Sequence, residues 1–64
     1  MIYLEPRTIF DCAIISSDPV VYEFDLLIQC MMLAYDWTYE EAIEYYCYNI
    51  EPLKQYEGLQ ISGE

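Results

Sequence analysis

From Phe24 to Tyr35 the apolar residues recur at helical spacing on two adjacent stripes, and this segment limits the folds open to a chain of 64 residues. Phe24, Leu27, Ile28, Met31 and Tyr35 make one stripe. Leu26, Cys30 and Leu33 make a second beside it, and only Asp25 and Gln29 are plainly polar. A helix that is apolar almost all round is buried on several sides. In so small a domain it is either the central element of the fold or half of an interface. The second alternative is a homodimer through Leu26, Cys30 and Leu33.

The boundary after this segment is sharp. Thr38-Tyr39-Glu40-Glu41 fits a capping box, in which Thr38 accepts from the Glu41 amide and Glu41 reaches back to the Thr38 amide. Trp37 before the cap and Ala42 after it fit a hydrophobic staple. A second helix is predicted over 39–50, with Tyr39, Ala42, Ile43, Tyr46 and Ile50 inward and Pro52 as its stop. The polar stretch 54–58 reads as loop.

The remaining apolar runs are short and β-branched. Residues 12–15 and 20–22 read as strands joined by the turn chemistry of Ser16-Ser17-Asp18-Pro19. Residues 59–61 alternate like a terminal strand, and Pro6 starts a short turn or 3₁₀ piece over 6–11. The expected fold is a single α+β domain over 1–64. It has a two- to three-stranded antiparallel sheet (12–15, 20–22, 59–61) packed against two helices (24–35 and 39–50).

Charge sets the function classes. Twelve carboxylates face two basic side chains and no histidine, for a net charge of −10, yet 56% of the residues are hydrophobic. Disordered chains combine high charge with low hydrophobicity, so this chain is not of that kind. Like charge at this density repels itself and costs stability. The field suits a basic partner, typically a protein surface that normally holds nucleic acid. It argues against direct binding of DNA, RNA or an anionic membrane.

A chain this short buries only about 60% of its unfolded surface. Eight tyrosines, two phenylalanines and Trp37 compensate. The amino terminus has no basic segment followed by an apolar run, and the uncharged stretch 26–35 falls short of the ~20 residues of a membrane span. A cytoplasmic protein is expected. Cys12, Cys30 and Cys47 form no C-x-x-C pair, and there is no histidine to complete a zinc site. They read as reduced thiols packed as small apolar residues; a three-thiolate metal site, an intermolecular disulfide and a redox role are the weaker alternatives. No histidine base, nucleophile elbow, glycine-rich loop or calcium loop is present. No catalytic residue, metal or cofactor is therefore expected. Arg7 and Lys54 read as partners for nearby carboxylates.

The outer face of the second helix holds Glu40, Glu41, Glu44 and Glu51, interleaved with Tyr45 and Tyr48. Glu40 and Glu44 form one step of a charge ladder, and Glu51 is expected about 10 Å further along. Such a face can occupy phosphate-binding positions on a partner, since duplex DNA carries one charge per ~3.4 Å of each strand. Tyrosines supply interface anchors. Asp36 extends the patch, with Glu23 and Asp25 as further members. The alternative is that these carboxylates only solvate the helix, and the helix dipole favours Glu40 and Glu41 in the first turn in any case.

Three segments carry a resemblance: Glu5-Pro6-Arg7-Thr8-Ile9-Phe10-Asp11, Ile14-Ile15 with 20–25, and 38–49. Together they resemble small acidic phage- and prophage-encoded proteins of unassigned role, with E-P-R-x-x-F-D, I-I…V-V-Y-x-x-D and T-Y-E-E-A-x-E-Y…N segments. The resemblance implies a phage setting and assigns no activity. By analogy of class, it suggests an inhibitor of host defence of the anti-CRISPR or anti-restriction DNA-mimic kind. An antitoxin-like neutraliser or a homo-oligomeric structural protein is the other reading.

Overall fold

The central segment forms α2 (Phe24–Tyr35) in the computed structural model, which describes residues 3–64. The reading of the amino terminus involves Met1 and Ile2, which lie outside the described residues. The helix starts where Glu23 accepts the Leu26 amide hydrogen at 3.0 Å, and ends at Asp36, whose φ of 57° is left-handed. Aspartate tolerates that conformation because its short side chain bonds locally.

Burial selects one side of α2. Leu27, Ile28 and Met31 are inaccessible, whereas Leu33 is 86% exposed and Leu26 is 36% exposed. The helix is therefore the central element of the fold along one stripe, and its second stripe is only partly covered. Tyr35, expected inward, is also exposed. Leu27, Ile28 and Met31 belong to a core shared with Leu4, Phe10, Val20, Tyr22, Ala42, Tyr46, Ile50 and Leu59.

The amino-terminal turn is helical: α1 (Arg7–Phe10) runs into a 3₁₀ turn over Asp11–Ala13. The first strand, β1 (Ile14–Ser17), starts two residues later than expected because Cys12 and Ala13 belong to that turn. It pairs antiparallel with β2 (Val20–Glu23) through a register shift between Ile14 and Ser16. This irregularity leaves Ile15 exposed, as a bulge does. The Ser16 hydroxyl donates to the Pro19 carbonyl and holds the turn. Tyr22 is fully buried in β2, and its hydroxyl accepts from the Leu4 amide at 2.8 Å.

The sheet is mixed, which corrects the antiparallel expectation. β3 (Gln60–Ser62) lies on the free side of β2 and runs parallel to it, with Tyr22 opposite Ile61. A chain that leaves the end of β2 through helices returns to its beginning, and parallel pairing needs such a crossover. Gly63 follows at φ 82° against the Glu23 carboxylate, where a side chain would collide.

The second long helix also differs from expectation. α3 (Tyr39–Tyr45) passes into a π turn over Tyr46–Ile50 and continues as α4 (Glu51–Tyr56), so Pro52 does not end it. Proline disrupts an α-helix through its missing N–H and its clash with the carbonyl four residues back. A π turn displaces that carbonyl, and Pro52 enters at the first turn of α4, where an N–H has no obligatory partner. The stretch 54–58 is consequently mostly helix rather than loop.

The reading of the cysteines as reduced and buried holds only in part: Cys30 is buried and Cys47 is a free thiol. Cys12, exposed on the 3₁₀ turn, forms a disulfide with Cys30 on α2. Cys47 is free and exposed.

Candidate partner-binding site

The capping box forms as the sequence implies. The Glu41 amide donates to Thr38 Oγ1 at 3.2 Å, and the Thr38 amide donates to Glu41 Oε1 at 2.9 Å. Glu41 is thereby held in a fixed position on the first turn of α3. Glu41, Glu44, Tyr45 and Tyr48 follow at intervals of three and four residues, so they share a face. Together with Trp37 and Asn49 they line an open cleft of about 270 Å³.

Aromatic packing organises the cleft. Trp37 stacks on Tyr35 with centroids 4.5 Å apart, and meets Tyr45 at 5.3 Å in a tilted arrangement. Trp37 thus has ring partners on both flanking helices, and it packs against the core that contains Ala42. Asn49 donates its side-chain amide to the Tyr45 carbonyl at 3.2 Å. Tyr45 is half-buried, while Tyr48 is 76% exposed and free to meet a partner.

The other candidates lie apart from this cleft. Glu40 is exposed on α3 but does not line it, and Asp36 sits at the left-handed end of α2. Glu51 lines a separate groove with Lys54, to which it pairs at 3.5 Å. The π turn explains the separation: one wide turn rotates all later positions by about 100° relative to a continuous α-helix. Glu44 and Glu51, seven residues apart, therefore lose their common face.

Both described basic side chains are engaged within the molecule. Arg7 pairs with Asp11 at 3.1 Å and covers the Tyr3 ring at 3.8 Å. Lys54 pairs with Glu51 and with Glu64. Among the described residues, Glu40, Glu41 and Glu44 take part in no ion pair.

Lys54, Glu64 and the buried Tyr46 form a clasp that closes the β3 end onto the π turn. Tyr46 donates its hydroxyl proton to the Glu64 carboxylate. Burial, and then that hydrogen bond, push the Tyr46 hydroxyl far above its ordinary range and keep it a donor. The Lys54 hydrogen bond, seconded by Tyr46, holds the Glu64 carboxyl below the usual carboxylate value. A depressed carboxylate favours the folded state above its unfolded value of about 4.3, and that contribution is lost as pH falls through the depressed value. In an NMR titration Glu64 should therefore inflect below the ordinary glutamate range, and Lys54→Met should return it upward. An ordinary inflection in the unmodified protein would rule the clasp out.

Sequence reading missed Trp37, Tyr35 and Asn49 as parts of the site. The 41-44-45-48 spacing was the available signal, since it separates Glu40 from the shared face.

No family model matches the chain, nor does any curated protein or solved structure. Among the described residues, no helix is long and apolar enough to cross a membrane.

Proposed function

We propose that this chain is an acidic inhibitory binding protein, of the kind phages direct against host defence. Its α3 face docks on a basic nucleic-acid-binding surface of a defence complex, such as a CRISPR effector or a restriction enzyme. Nucleic acid is then excluded by competition, in the cytoplasm of the host cell. The observation that carries the reading is a net charge of −10 with both described cations already paired internally, leaving Glu40, Glu41 and Glu44 unmatched. An uncompensated field of this sort accelerates encounter with a basic surface. Among the candidate residues, Glu41, Glu44, Tyr45 and Tyr48 have the strongest support because they share one cleft.

The test is competition between this protein and labelled duplex DNA for purified CRISPR effectors and restriction enzymes at low salt. DNA should be displaced. The Glu41→Gln, Glu44→Gln double variant should associate about tenfold more slowly and with a flatter salt dependence. Glutamine at position 41 retains the capping box, so the fold is preserved. Displacement of DNA from none of these enzymes would count decisively against the proposal.

One observation favours a second reading, self-association. Leu26 and Leu33 border an open cleft of about 380 Å³ that also involves Cys12, Cys30, Thr8 and Ile9. Light scattering across concentrations separates the two, because the inhibitor reading works as a monomer.

A further inference from the structure

We infer that the cleft between Trp37, Tyr45 and Tyr48 is an arginine-anchoring site. It takes the guanidinium of a single side chain presented by a basic partner. The inference rests on the binding reading above and specifies its chemistry.

Three properties of the cleft converge on that occupant. Its walls are aromatic, and ring faces carry the negative part of the quadrupole. Its rim carries Glu41 and Glu44, so every strong electrostatic contribution has the same sign. Its volume of about 270 Å³ lies below the range typical of drug-sized ligands, which suits one side chain. An anionic occupant is repelled by the two carboxylates, and a neutral one gains apolar contact with the rings but nothing from the charge.

Geometry then favours arginine over lysine. A guanidinium is planar, stacks on aromatic rings, sheds water more readily than an ammonium and donates to carboxylates through a fork. Both parts of that recognition are available in one place, with rings beside two carboxylates. The site is also preorganised. Tyr35 and Tyr45 hold Trp37, the capping box holds Glu41, and the Asn49 side chain bonds the Tyr45 carbonyl. Binding then has to order chiefly Glu44 and the exposed Tyr48. No internal cation competes, since among the described residues Arg7 and Lys54 are paired elsewhere.

Trp37 is the sole tryptophan, so its emission reports on this cleft alone. The full chain is titrated at low salt with oligoarginine and with oligolysine of equal length. Oligoarginine should shift Trp37 emission and bind about tenfold tighter than oligolysine. Tyr48→Ala removes an exposed ring without touching the core, and should weaken oligoarginine more than oligolysine and so narrow the preference between them. Equal affinity for the two peptides with unchanged Trp37 emission would overturn the anchor and leave the acidic-face reading standing. If neither peptide binds, that broader reading fails as well.

Discussion

Leu27→Ala should cost about 3 kcal/mol, whereas Leu33→Ala on the same helix should change stability by no more than about 0.5 kcal/mol. Leu27 is fully buried in the shared core, while Leu33 is 86% exposed. Truncating the buried leucine removes transfer energy and leaves a cavity that a close-packed interior fills only in part. A native domain has roughly 0.05–0.15 kcal/mol of stability per residue, or about 3–10 kcal/mol for this chain. The Leu27 variant thus stands near the edge of unfolding. Urea titrations followed by helical circular dichroism measure both variants. Equal sensitivity at the two positions would contradict the burial asymmetry of α2.

The second large effect concerns the Cys12–Cys30 link. It joins the 3₁₀ turn to α2 across a sequence separation of 18. Closing a loop of that length is worth about 3 kcal/mol in the chain-entropy account, comparable to the core substitution. A dithiol reductant should lower the urea midpoint by a corresponding amount, and Cys12→Ser should lower it without reductant. Cys47→Ser should do neither, because Cys47 is free. A midpoint indifferent to reductant would show that the two sulfurs are not bonded in solution. The outcome also bears on where the protein acts. Cytosol keeps thiols reduced, so in that compartment the fold would have to stand on its core alone.

Local chemistry made part of this fold legible. The capping box at Thr38 and Glu41, the limits of α2 and the turn at Asp18-Pro19 each follow from a few neighbouring residues. What escaped depends on distant ones. The parallel placement of β3 is set by how three helices return the chain, which the alternation of Leu59-Gln60-Ile61 does not encode. Pro52 has the same identity whether it stops a helix or follows a π turn, and only the packing of Tyr46 and Ile50 distinguishes the cases. Cys12 and Cys30 meet because a turn folds onto a helix, and their spacing carries no such information. The acidic face was readable as composition, but its division was not. Glu41 and Glu44 stay with the tyrosines, while Glu51 joins Lys54, because one widened turn intervenes.

The third strand has a protective consequence. While β3 occupies the flank of β2, Val21 and Tyr22 have a paired strand on either side. Were it to peel away, an apolar ribbon with open hydrogen-bonding groups would face other molecules, the standard invitation to intermolecular sheet growth. Acid both loosens Glu64 from Lys54 and neutralises the carboxylates whose mutual repulsion keeps copies apart. Low pH therefore removes the lock and the deterrent together, and makes acidic storage the condition under which this molecule aggregates.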